Sequence, residues 1–284
     1  MNITSNVASM ISQLNMSRTT DNLTNVFYRL STGYKINSAA DDRVGLSLSE
    51  KLISSADSYQ TAMDNAKDGI NALNIADAGL ASMLENIQRI KDLSVQAANG
   101  IYSSRERGYL LVEVQERIKD LNKIIDSTKF LEIPLLKDPS TALNVQMGPD
   151  STVSTNTFNI KDSLAGQEIN LTALGLKDIL SLSGGTWTSA VARDSIGTLD
   201  DALSTIVNCR SKLGSMVNRM ETSNNTLLLR KESTLSSNST IRDADIAVET
   251  AEMAKLQILQ QSTTKVMTQV NQLSTFALSI LTSQ

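Results

Sequence analysis

The chain of 284 residues has no histidine and one cysteine, Cys209. Histidine is the commonest general base near neutral pH and the commonest metal ligand, so zinc sites and His-based triads are excluded from the outset. One cysteine allows no internal disulfide. Within a helical run, Cys209 reads as a small buried thiol, with an intermolecular crosslink as the alternative. The acid pair best spaced for chemistry is Asp41-Asp42, inside LSTGYKINSAADDRVGL at 30–46. Two such carboxylates could bind a metal or share acid/base work, but no third ligand motif accompanies them. No nucleophile–base set, phosphate loop or metal spacing occurs elsewhere. The chain is therefore expected to be no enzyme, with no catalytic, cofactor or metal site.

The same stretch has a structural reading. Gly33 suits the left-handed position that ends a helix, Tyr34 to Asn37 is extended, and Ser38 with Asp41 forms a capping-box-like signal. Asp41 and Asp42 then lie near a helix N-terminus, where the macrodipole favours carboxylates by about 0.3–1 kcal/mol.

The elements this joint must connect are long helices. All three prolines, Pro134, Pro139 and Pro149, fall in one central span, which leaves both flanks free of helix breakers. From Ile196 to Thr234 the positions 196, 199, 203, 206, 210, 213, 217, 220, 224, 227, 231 and 234 alternate by three and four, and eight of the twelve are apolar. That predicts a coiled-coil-like seam of about 60 Å, with polar breaks of the kind that fix register. A matching stripe runs from Tyr59 to Ala97, and a third helix carries Leu111, Val114, Ile118, Leu121 and Ile125 on one face. LNVQMGPDSTVSTNTFNI alternates around Gly-Pro-Asp and predicts a β-hairpin near 143–162. The expected fold is mainly α: a long helical-hairpin or coiled-coil rod with both termini at one end and a small β-hairpin in the middle of the chain.

The two ends differ from the rod. Residues 1–17 carry no charge, and from Leu256 to Gln284 only Lys265 does, yet both ends keep helical apolar spacing. A charge on a helix that packs against copies of itself meets its own sign, whereas Ser, Thr, Asn and Gln can hydrogen-bond to identical neighbours. Their narrow apolar stripes cannot offset the ordering entropy alone, so the ends are expected to fold on assembly. Aromatic residues make up only 4% of the chain, while Ser and Thr number 62, which favours thin seams over a dense core. The net charge of −4, without a basic patch, speaks against nucleic acid. The start of the chain lacks the basic and apolar regions of a cleaved signal peptide, and no window is apolar enough for a membrane span.

Two stretches resemble one family, the bacterial flagellins. In the first, Leu30, Ser31, Gly33, Lys35, Ile36, Asn37, Ser38, Ala39, Asp41, Asp42, Gly45 and Leu46 match the family's N-terminal signature. In IRDADIAVETAEMAKLQILQQSTTKVMTQVNQLSTFALSIL the matches to the C-terminal signature include Arg242, Asp243, Asp245, Gln260, Asn271 and Leu273. Arg43 and Val44 depart from the two alanines usual in the family, and Ser274 stands where proline is common. The resemblance covers about 1–162 and 190–284. It implies a subunit that self-assembles into the helical filament of the flagellum and serves bacterial motility, with a hook–filament junction protein of the same superfamily as the alternative. It also implies an extracellular filament, export in unfolded form by the flagellar type III route without a cleaved signal, and addition at the tip. The implied partners are further copies of the chain, an export chaperone, the filament cap and hook-junction proteins, with neither nucleic acid nor membrane among them.

By the same resemblance, 1–42 and 240–284 form an inner-tube domain that is disordered in the monomer. Residues 43–164 and 195–239 form the outer-tube rod, and 165–194 is a short residual outer insert. NIQRIKDLSVQAAN resembles the stretch read by the vertebrate innate immune receptor for flagellin, through Gln88, Arg89 and Leu93, with Glu113 on the next helix. The alternative reading of these four is an exposed helix face with filament contacts.

Overall fold

The computed structural model describes residues 7–137, 144–148, 157–159, 169–183 and 185–282. Its described elements run α1 (Val7–Thr32), α2 (Arg43–Ala97), α3 (Ser104–Ser127), β1 (Lys129–Phe130), β2 (Ile133–Pro134), β3 (Asn144–Gln146), β4 (Thr157–Asn159), α4 (Lys177–Leu180), α5 (Ser189–Arg242) and α6 (Ile246–Thr282). The chain divides into two compact units, Asp57–Lys231 and the pair Met1–Ala56 with Glu232–Gln284. The mainly helical class is as expected.

In the 57–231 unit, α2, α3 and α5 enclose one apolar core. Leu73, Leu80, Met83, Ile87 and Ile90 of α2 and Val114, Ile118 and Leu121 of α3 are fully buried in it. The helix α3 starts at a reciprocal cap: the Ser103 N–H donates to Glu106 Oε2 at 2.7 Å, and Ser103 Oγ accepts from the Glu106 N–H. Its buried face is the one its periodicity predicts: Leu111, Val114, Ile118, Leu121 and Ile125. On α5 the seam is rotated from expectation. Leu199, Ile206, Leu213, Met220 and Leu227 are buried as predicted, but the alternating positions are Ser195, Ala202, Cys209 and Met216, one residue earlier. A face packed on two helices is wider than a two-stranded seam, so small residues fill its centre while Leu203 and Val217 flank it. This placement buries the Cys209 thiol and pushes its pKa up. It also leaves Arg210 on the flank, where it makes a two-pronged ion pair with Asp77 at 2.7 and 3.1 Å.

β3 pairs antiparallel with β4, Val145 opposite Phe158, as the alternating pattern predicts; Pro149 and Asp150 of the expected Gly-Pro-Asp turn lie outside the described residues. A second hairpin, β1–β2, turns at Leu131 and Glu132, with φ of 47° and 68°. Two successive positive φ values mark the hairpin turn that normally carries Asn-Gly. The segment read as an outer insert, 165–194, does not stand apart in its described part: Ile169, Leu174, Leu176, Ile179 and Trp187 all enter the core. Its regularly placed Leu and Ile side chains and the single tryptophan have more apolar area than an exposed appendage would carry.

In the other unit, α1 and α6 run antiparallel, with Ser9 beside Asn271, Met16 beside Thr264 and Arg29 beside Glu249. Among the described residues little is buried between them. Ser12 and Val26 of α1 and Leu256 of α6 are covered, whereas Val7, Met10, Ile11 and Leu14 are 53–65% exposed. Thr20 and Thr24 on α1, and Thr263, Thr264 and Thr268 on α6, return their hydroxyl hydrogens to the carbonyl one turn back. These five hydroxyls are thereby satisfied within their own helices.

Candidate assembly site

The joint between α1 and α2 is built residue by residue from its sequence. Gly33 ends α1: its N–H donates to the Arg29 carbonyl at 2.8 Å, and its φ of +73° lies where only glycine is unstrained. The chain then tucks in Ile36, 4% exposed, against Gly45. A side chain at Gly45 would collide with Ile36 Cδ1 and the Asp42 carboxylate, which is the physical need for glycine there. Asn37 closes the turn by donating from Nδ2 to the Tyr34 carbonyl at 2.8 Å. Leu30 is half-buried in the last turn of α1.

Asp41 and Asp42 divide the work of stopping and starting. The Asp41 carboxylate accepts from the Ser38 N–H at 2.9 Å, the Asn37 N–H at 3.1 Å and the Ser38 hydroxyl at 3.0 Å. These bonds hold its carboxyl below the ordinary value of 3.8, with Arg29 adding in the same direction. The cap of α2 is Asp42, not the Ser38–Asp41 pair that the pattern suggests. Asp42 Oδ1 accepts from the Val44 and Gly45 N–H groups at 3.0 and 2.9 Å. A capping side chain must sit just ahead of the first helical turn, and Ser38 is too far before Arg43 to reach it. Val44, a departure from the family pattern, is 78% exposed beside this cap.

The C-terminal signature meets this joint. Asp243 pairs with Tyr34 in an antiparallel bridge, and Asp245 caps α6 through the Ala247 and Val248 N–H groups at 2.9 and 3.2 Å. Arg242 reaches Glu50 at 2.9 Å and lies over the Tyr34 ring, 4.7 Å from its centroid. Further along α6, Gln260 Nε2 approaches Thr20 Oγ1 at 3.5 Å, and Asn271 Oδ1 accepts from the Ser9 hydroxyl at 3.0 Å. The Leu273 side chain lies outside the described residues. Two signatures more than two hundred residues apart are thus one site. Tyr34, which the sequence marks only as the start of an extended stretch, and Arg29, which pairs with Glu249 at 3.4 Å, join the site without matching either signature. Their only sequence signal is proximity to the joint.

The face read for receptor contact is partly assembled. Gln88 and Arg89 are exposed on α2, and Arg89 Nε and Nη2 donate to Glu113 Oε1 at 3.2 and 3.1 Å. Leu93 does not belong to that face. At 2% exposure it points into the core, because it continues the buried stripe of Ile87 and Ile90. Among the described residues no group of three or more His, Cys, Asp or Glu side chains could hold a metal, and no helix is long and apolar enough to cross a membrane.

Comparison with known proteins agrees with both signatures. The model of the bacterial flagellin N-terminal helical region matches residues 3–141, and that of the C-terminal helical region matches 196–281. Flagellin FlaB2 of Treponema pallidum (strain Nichols) is 33% identical over 289 residues, covering 99% of this chain and all of that protein. A flagellin of Listeria monocytogenes (strain EGD-e) is 28% identical, covering 96% of each chain. A solved Vibrio parahaemolyticus structure, described as a flagellar hook-associated protein, superposes with a TM-score of 0.53 at 15% identity, over 72% of this chain and all of that one. That likeness concerns the fold alone, and the hook-junction alternative is no better supported than flagellin. With both helical regions matched and a relative 33% identical end to end, the chain belongs to the bacterial flagellin family and is a structural subunit of the flagellar filament.

Proposed function

We propose that α1 and α6 are the assembly-dependent part of this filament subunit, lining an inner tube, and that they order only when neighbouring subunits cover them. The observation that carries this is exposure within a formed helix pair: Met10 at 65%, Leu14 at 53%, Ile258 at 67% and Val266 at 48%. Burying such side chains fully is worth about 1.5–3 kcal/mol each, a gain the single chain leaves unused. In this reading 1–42 and 240–284 are the inner domain, and 43–164 with 195–239 is the outer helical region. The joint at 30–46 is the spoke between them.

A segment that orders late suits a subunit exported unfolded and added at the filament tip, with a chaperone covering the apolar ends before export and a cap holding them at the tip. The exposed Gln88 and Arg89, with the half-buried Glu113 that Arg89 holds, are the side chains that a flagellin-reading innate receptor would meet on the free subunit. Deleting α6 and seeding the truncated protein with filament fragments tests the reading. The expected result is no elongation with the 57–231 unit still folded; normal elongation would overturn it.

A further inference from the structure

We propose that the two crossings in the terminal unit, from α1 to α2 and from α5 to α6, form a single latch closed by Arg242, so that α1 and α6 take their assembled positions together. The inference rests on the assembly-dependent ordering proposed above. The crossings are stitched through the backbone: the Lys35 N–H donates to the Arg242 carbonyl at 2.7 Å, and the Ala244 N–H donates to the Gly33 carbonyl at 2.9 Å. Tyr34 and Asp243 face each other between these bonds. One crossing therefore supplies the edge on which the other is held.

Arg242 locks the stitch because of where it stands. As the last residue of α5, it places its guanidinium over the Tyr34 ring, on the α1–α2 crossing, while Nη1 donates to Glu50 Oε1 at 2.9 Å and approaches Ser49 Oγ at 3.5 Å on α2. Its side chain is 18% exposed while Glu50 is 59% exposed, so the arginine is held in place by packing and the ion pair itself is partly screened by water. An arginine can stack on a ring and donate sideways from the same plane, which lysine cannot do. The Arg242 Nε–H, buried, has no partner among the described residues, so the closed arrangement is incompletely satisfied and open to displacement. Above the latch the Arg29–Glu249 pair ties the end of α1 to the start of α6. With so little buried between α1 and α6 among the described residues, the contacts at their roots can transmit order from one to the other.

The test uses the full chain, assembled onto filament seeds, with variants Arg242→Met, Arg242→Lys and Tyr34→Leu and the double variant Arg242→Met/Tyr34→Leu. Together, the part-exposed cation–ring contact and the ion pair to Glu50 predict a critical concentration raised about tenfold for Arg242→Met, and less for Arg242→Lys. The double variant should be no worse than the Arg242→Met single, since both remove one contact; multiplication of the two single effects would overturn the lock. In filaments of Arg242→Lys or Tyr34→Leu, amide exchange should quicken in α1 and α6 by similar factors. Quickening confined to one helix, or wild-type behaviour of Arg242→Lys, overturns the coupling. Exchange in the wild-type monomer against the wild-type filament separately reports whether the ends order on assembly. A failure of that reading is therefore distinguishable from a failure of the latch.

Discussion

The 57–231 unit and the terminal helices are built from similar apolar residues but use them in opposite ways. In the former, Leu80, Met83, Ile87, Ile90, Val114, Ile118 and Leu121 are all at 0% exposure, and the charged side chains stay on the outside as partly exposed pairs such as Arg89–Glu113. In the terminal unit, leucine, isoleucine, valine and methionine stand open along α1 and α6, and towards the chain ends, in 1–17 and from Leu256 on, their neighbours are hydroxyls and amides with Lys265 the one charge. A chain that must be stable alone closes its apolar surface upon itself. One that must join identical copies keeps that surface open and avoids charges that would meet their own sign.

Perturbations should separate the two regions by size of effect. The largest is truncation of α1 or α6, which is expected to abolish elongation while leaving the melting of the remaining chain within a few degrees of the full subunit; cooperative loss of both would erase the contrast. Next comes a matched pair of alanine substitutions. Ile87→Ala should lower the monomer's unfolding free energy by about 2–5 kcal/mol in denaturant titration, through the lost contacts and the cavity left behind. Ile258→Ala, at a residue 67% exposed, should leave the monomer midpoint unchanged and act only on filament yield. A comparable loss in the monomer from both would show that α6 is already packed there. Ser103→Ala removes the reciprocal cap of α3 and is expected to cost about 1 kcal/mol, read as a shift in midpoint without a change in slope.

Acid should produce the smallest effect and sharpen the joint. Asp41 is held below its ordinary pKa by the Ser38 and Asn37 N–H groups and the Ser38 hydroxyl. A depressed carboxyl stabilises the folded form above the unfolded pKa and loses that contribution as pH falls through the folded one. The Ser38–Asp41 turn should therefore persist at pH 5 and open only below the usual carboxylate range, followed through the Asn37 and Ser38 amide signals in assembled material. Opening above pH 4 would contradict the bonding described.

Helix positions, the face of α3, the β3–β4 pairing and the stop at Gly33 were legible because each depends on local spacing or on one conformational requirement. What was not legible depended on partners distant in sequence. The α5 face rotated by one residue because a third element packs on it, which makes Cys209 core and Arg210 flank, a distinction invisible to a pattern of threes and fours. The β1–β2 hairpin escaped because Leu131-Glu132 adopts a turn normally signalled by Asn-Gly. The two terminal signatures could be matched singly, but their meeting through Tyr34, Asp243 and Arg242 is a tertiary fact. Leu93 shows the converse: a motif match assigns it to a surface, while helical periodicity already places it with Ile87 and Ile90.

The terminal helices are proposed to acquire order from neighbouring copies, while the 57–231 unit has its own. Amide exchange, resolved by peptide and measured on the free subunit and on seeded filaments, tests it directly. Exchange should be slow at Ile87 to Leu93 and at Ile118 in both states, while α1 and α6 exchange rapidly in the free subunit and slowly in the filament. Equal protection of α1 and α6 in both states would contradict it.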